Sequence, residues 1–105
     1  MVFDPIRRRL VVFGGATQSN LNDLWSYALP GPSAWEPIDA LGPLPSTRTD
    51  HAAVYDPVRD RMLVFGGVGS GRLNDLWSFS VEQGLPLWTQ LSPTGTLPAA
   101  RAATA

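Results

Sequence analysis

Residues 54–67 read Val-Tyr-Asp-Pro-Val-Arg-Asp-Arg-Met-Leu-Val-Phe-Gly-Gly, and residues 2–15 read Val-Phe-Asp-Pro-Ile-Arg-Arg-Arg-Leu-Val-Val-Phe-Gly-Gly. The same text appears twice, 52 residues apart. Leu-Asn-Asp-Leu-Trp closes both copies, at 21–25 and 73–77. Between 2–25 and 54–77, 14 of 24 positions are identical, so the chain is a tandem repeat. One inserted residue then moves the offset to 53, which aligns Trp35 with Trp88, Gly42 with Gly95, Pro45 with Pro98 and Arg48 with Arg101.

The second copy is complete and shows four strand-like runs. Residues 51–55 are rich in small residues, and Asp56-Pro57 opens a turn. Residues 61–65 are almost wholly apolar, as a strand covered on both faces should be, and Gly66-Gly67 ends them. In 73–81, Trp77 and Phe79 alternate with Ser78 and Ser80, the period-two pattern of a strand. The fourth run is 87–91, followed by a Pro- and Gly-containing link from 92 to 100. No segment carries a capped helical pattern. The reading is all-β, with one four-stranded antiparallel sheet per repeat. Such a sheet leaves apolar faces wet when alone, and radial stacking of copies into a propeller covers them. Residues 1–52 form the first blade and 53–105 the second.

The double glycine after an apolar strand, Asn-Asp-Leu-Trp some residues later, the second Trp and the Pro-x-x-Arg that precedes the inner strand together resemble a Kelch repeat. The residues are Gly14, Gly15, Trp25 and Trp35 in the first copy and Gly66, Gly67, Trp77 and Trp88 in the second. The Kelch period is about 50 residues, and the likeness covers the chain twice in register. It implies that 51–55 is the innermost strand and 87–91 the outermost. It also implies that ligands meet the loops between strands two and three and between strand four and the next strand one. The candidates there are Gln18, Ser19, Asn20, Thr47, Arg48, Ser70, Arg72, Thr96 and Arg101. Arg48 and Arg101 could grip carboxylates in a bidentate way, although a structural hydrogen bond to a neighbouring blade is the stronger reading. The four tryptophans are expected to pack between blades.

The ends of the chain suggest assembly. Residues 48–57 read RTDHAAVYDP, and the last five residues joined to the first five read RAATAMVFDP. The expectation is that one inner strand is shared between chains, Arg101, Ala102, Ala103, Thr104 and Ala105 of one meeting Met1, Val2 and Phe3 of another. Unpaired strand edges are templates for a further chain. Head-to-tail contacts of this kind close into rings when the rotation allows, here with two blades per chain. A homotrimer of six blades is favoured over a tetramer of eight. The neat phase also suggests a piece excised or engineered from a longer array. The leading expectation is a structural, self-assembling scaffold; the alternative is a module that binds a peptide or protein through its loops.

Other chemistry finds little support. Net charge is −1, which gives no electrostatic case for nucleic acid or an anionic membrane. No apolar run is long enough to span a bilayer. The glycine pairs precede no helix, so they do not make a phosphate loop. Asn22-Asp23 and Asn74-Asp75 offer too few oxygens for calcium. There is no Cys and a single His, His51, so no catalytic triad and no His-based metal cluster can form within one chain. Some proteins with Kelch-like propellers oxidise alcohols at a copper centre built from Tyr, His and Cys, and this chain lacks those parts. No enzyme activity, metal or other cofactor is expected. A Cys-free chain suits oxidising and reducing surroundings alike, so the sequence fixes no compartment.

Overall fold

The computed structural model describes residues 1–31, 34–92, 96, 98–99 and 101. Among these, eight strands form two four-stranded antiparallel sheets, one for each sequence repeat. The first is β1 (Val2–Asp4), β2 (Arg9–Phe13), β3 (Leu24–Ala28) and β4 (Trp35–Pro37), hydrogen-bonded in that order. The second is β5 (Ala52–Asp56), β6 (Arg61–Val68), β7 (Arg72–Glu82) and β8 (Leu85–Leu91), with the same order.

The turn between the first two strands of each sheet is set by an aspartate. Asp4 Oδ1 accepts the backbone N–H groups of Ile6 and Arg7 at 3.0 and 3.1 Å. Asp56 Oδ1 does the same for Val58 and Arg59 at 3.1 and 3.3 Å. The following proline fixes φ for the turn. Arg8 and Asp60 then both adopt φ +53°, which closes the hairpin.

The glycine pair behaves differently from the sequence reading. β6 does not stop at Phe65 but continues through Gly66 and Gly67 to Val68. The pairing Phe65↔Leu76 is followed by Gly67↔Leu73 and Val68↔Arg72, with a bulge between. Gly66 and Gly67 have φ +67° and +100°, a backbone that only glycine adopts cheaply, so the strand kinks there and resumes. The outer hairpin is also longer than expected. Gln83 and Gly84, with φ +52° and +79°, form a two-residue turn, and pairing extends to Glu82↔Leu85. The first repeat has Pro30 and Gly31 at that place and Pro37 in β4, and β4 is only three residues long. Proline donates no ladder hydrogen bond, so the edge of the first sheet is short.

The two sheets stack face to face. On the first, Val2 pairs with Val11 and Phe13 with Leu24, and all four are buried on one face. On the second, Met62, Val64, Trp77, Phe79 and Trp88 are buried together against them. The nine side chains form one core cluster. It is therefore a core between blades rather than within one. Backbone bonds stitch the same seam: Leu41 N donates to Pro86 O at 2.8 Å, Trp88 N to Leu41 O at 3.0 Å, and Thr49 and Val68 exchange bonds of 2.9 and 2.8 Å.

Candidate functional site: the interface between blades and its open counterparts

Trp88 is the centre of the seam. It is 1% exposed, with ring centroids 4.9 Å from Phe13 of the other blade and 5.4 Å from Phe79. Edge-to-face and tilted ring pairs at these separations add to the gain from burial alone.

At the loop end of the seam, Arg48 is wholly buried. Its guanidinium grips Asp75 of the second blade with two bonds, 2.7 Å from Nη1 to Oδ1 and 2.8 Å from Nη2 to Oδ2. Nη1 also donates to Gly66 O at 3.0 Å, and Nε and Nη2 donate to Ser46 at 3.2 and 3.1 Å. A buried arginine needs this many acceptors, because an unpaired charge away from water is costly. Asp75 in turn accepts Trp77 Nε1 at 2.7 Å. The Arg48 hydrogen bonds, with Trp77 assisting, hold the Asp75 carboxyl below its ordinary range. Arg48 thus joins the blades and does not face solvent.

At the opposite end, Arg7 of the first blade makes two bonds to Asp60 of the second, at 2.9 and 2.8 Å, and one to Asp4 at 3.0 Å. Tyr55 donates its hydroxyl to Asp60. The Arg7 bonds depress the Asp60 carboxyl, and burial followed by the Asp60 bond pushes the Tyr55 phenol up. Nothing in the sequence signals this cluster, because its members belong to different repeats and meet only through stacking. The Arg48–Asp75 pair had a faint signal, since both residues recur in the other copy at Arg101 and Asp23.

His51 lies behind the glycine pairs, its ring 5.4 Å from Phe13 and its Cβ 3.0 Å from where a Cβ on Gly67 would sit. Burial lowers its pKa, and its buried Nδ1 has no hydrogen-bond partner among the described residues. Among those residues no group of three His, Asp or Glu side chains could hold a metal ion. Among the described residues no helix is long and apolar enough to cross a membrane.

The loop candidates gather along one edge. Gly15 N donates to Arg48 O, Arg48 N to Leu21 O, and Thr49 pairs with Val68, so the 2–3 loops and the 4–1 link are tied together. Gln18, Ser19, Thr47, Ser70, Arg72 and Arg101 are exposed there, and Thr96 is exposed as well. Asn20 is half-buried, and its amide donates to Val68 O at 3.2 Å.

Of the residues expected at the chain junction, Val2 is 8% exposed while Met1 and Phe3 are 70% and 48% exposed. Ala102, Ala103, Thr104 and Ala105 lie outside the described residues. The tryptophans separate sharply. Trp77 and Trp88 are buried, Trp25 is half-buried and Trp35 is 47% exposed.

The pleat explains that difference. By register, Phe3, Leu10, Val12, Trp25, Tyr27 and Trp35 share the face of the first sheet that points away from the second. Their repeat counterparts Tyr55, Met62, Val64, Trp77, Phe79 and Trp88 share the face of the second sheet that meets the first. Likewise Val54, Leu63, Phe65 and Leu76 repeat Val2, Val11, Phe13 and Leu24 on the far face of the second sheet. The chain holds one complete blade interface and one copy of each half of it.

Comparison with known proteins agrees with this architecture. A family model described as the KLHDC2/KLHL20/DRC7 Kelch-repeats domain matches residues 1–105. Dynein regulatory complex subunit 7 of Chlamydomonas reinhardtii is 34% identical over 99 residues, which cover 88% of this chain and 8% of that protein. Acyl-CoA-binding domain-containing protein 5 of Arabidopsis thaliana is 34% identical over 99 residues, 92% of this chain and 15% of that protein. Host cell factor 1 of Homo sapiens is 28% identical over 116 residues, 94% of this chain and 6% of that protein. The chain therefore spans a small part of the length of each of these curated relatives.

Proposed function

Because the chain belongs to the Kelch-repeat family, whose domains generally mediate protein interactions, we propose that it is a non-catalytic scaffold supplying two consecutive propeller blades, 1–52 and 53–105, and that it assembles with copies of itself by stacking blade on blade. The observation that carries this reading is the contrast between equivalent residues. Trp88 is 1% exposed and Trp35 47%; Val2 is 8% exposed and Val54 58%. Side chains that are core at the seam inside the chain have counterparts at its two outer faces that are exposed or only half-buried, and the two faces are the two halves of that seam. Contiguous exposed apolar faces mark interaction surfaces. Three chains, giving six blades, is the favoured ring and four chains the alternative. Light scattering on a sizing column tests it. A species of three or four chain masses is expected, and a monomer at every concentration overturns self-assembly.

A second reading is binding of a protein or acidic peptide along the loop edge. Arg72 favours it, being exposed, at the mouth of the 2–3 loop, and without an ion pair among the described residues. The name of dynein regulatory complex subunit 7, a component of an assembly, is consistent with a binding role. Titration with a poly-glutamate peptide should show saturable binding that Arg72→Ala weakens.

A further inference from the structure

The seam inside the chain is fastened by charge at both ends, and each fastening can be moved on by one repeat. Arg48 becomes Arg101 and Asp75 becomes Asp23. Both are exposed, and neither has an ion pair among the described residues. They are nonetheless set as their counterparts are. Arg101 Nε donates to Ala99 O at 3.0 Å, as Arg48 Nε donates to Ser46 O at 3.2 Å. Asp23 accepts Trp25 Nε1 at 2.7 Å, as Asp75 accepts Trp77 Nε1 at 2.7 Å. The backbone repeats too: Arg101 N donates to Leu73 O and Gly67 N to Arg101 O, both at 2.9 Å, matching Arg48 N to Leu21 O and Gly15 N to Arg48 O.

The other end does not carry over. Arg7 and Asp60 become Arg59 and Arg8, so a pair of opposite charges becomes a pair of like charges. Tyr55, which donates to Asp60, becomes Phe3 and has no hydroxyl to give.

We propose that where one copy of this chain stacks on the next, Arg101 of the first pairs with Asp23 of the second at the loop edge, while Arg59 of the first opposes Arg8 of the second at the far end. This rests on the self-assembly reading above. The contact between copies is thus latched at one end and strained at the other, and it is weaker than the seam within the chain.

Charge exchange tests it on the full chain. Molecular mass is followed by light scattering from low to high micromolar protein for the wild type, Arg101→Asp, Asp23→Arg, the double exchange, and Arg8→Asp. Each single change at the latch should raise the concentration of half-assembly by about tenfold or more, and the double exchange should recover most of that loss. Arg8→Asp places an acid where the second repeat already carries Asp60 at the same φ of +53°, and should lower that concentration several-fold. Circular dichroism of the dilute monomers checks folding, which these exposed side chains should leave unchanged. If the wild type never assembles, the self-assembly reading falls and the pairing with it. If the wild type assembles but the double exchange recovers nothing, or Arg8→Asp fails to tighten assembly, assembly stands and the pairing is wrong.

Discussion

Trp88 and Trp35 occupy the same place in the repeat, so replacing each with alanine isolates what a neighbouring blade is worth. The exposures of 1% and 47% differ by about half of the indole surface. An aromatic of this size buries roughly 150–250 Å², so the difference is on the order of 100 Å² and, at about 25 cal/mol per Å², about 2.5 kcal/mol. Trp88→Ala also leaves a cavity against Phe13 and Phe79, which brings its cost to about 3–5 kcal/mol. Trp35→Ala loses its tilted contact with Tyr27 at 5.2 Å and part of one exposed face, a cost of about 1–2 kcal/mol. The assay is urea denaturation followed by circular dichroism, run at several protein concentrations. In dilute samples Trp88→Ala should be the more damaging by about 2 kcal/mol. As concentration rises, the penalty of Trp35→Ala should grow, because the proposed assembly would cover its face in the wild type. Because a change of 3–5 kcal/mol can unfold a small domain outright, Trp88→Phe provides a milder companion that keeps a ring at the site. Equal costs for the two alanine variants in dilute protein would refute the claim that only one of these residues has a blade over it.

Three further outcomes follow from the seam. Gly67→Ala should destabilise far more than Gly15→Ala, although both glycines have φ near +100°, because a Cβ at Gly67 would lie 2.8 Å from Thr49 O and 3.0 Å from the His51 side chain while one at Gly15 meets nothing within 4 Å. Thermal melting should show about 1 kcal/mol for Gly15→Ala and several for Gly67→Ala. Arg48→Ala should cost about 3 kcal/mol in urea denaturation, and Arg48→Lys should recover little of it, since an ammonium cannot span both Asp75 oxygens and Gly66 O. Stability should step down twice on acidification. The half-buried His51 has its pKa lowered on folding, so the folded state resists its protonation and stability falls as pH drops below about 6.5. Asp75 and Asp60 are lowered by their arginines, so their contribution is present above about pH 4 and is lost as pH falls through their folded values. Melts from pH 8 to 3 should show both steps, with the first missing in His51→Gln; its persistence there would clear His51 of the effect.

The repeat made the strands legible, because alternation and turn residues act within a few positions. Residues 61–65 lie within β6, and 87–91 within β8. Strand ends were less legible. Gly66-Gly67 reads as a terminator by composition, yet positive φ lets the ladder resume at Val68 once Leu73 and Arg72 are placed opposite. The site was only half legible. Identical letters at Trp35 and Trp88 have opposite surroundings, since burial depends on whether another sheet arrives. Arg48 reads as an arginine bonded to a neighbouring blade, but only stacking shows that Asp75 and the Gly66 carbonyl are its partners.

Differences between the copies then carry as much as their likeness. Where the two repeats agree, as at Arg48 and Arg101 or Asp75 and Asp23, the same fastening is available inside the chain and beyond it. Where they differ, as at Arg8 and Asp60 or Phe3 and Tyr55, it is available only inside. Here the charge reversal falls on a residue that bridges the blades, so it separates a strong seam from a weak one. In the proposed assembly the strong seam joins sheets on one chain, where their effective concentration is high, and the weak one would join chains, where concentration decides. The blades should therefore pair within each chain first, and further stacking should respond to protein concentration, salt and the sign of residue 8.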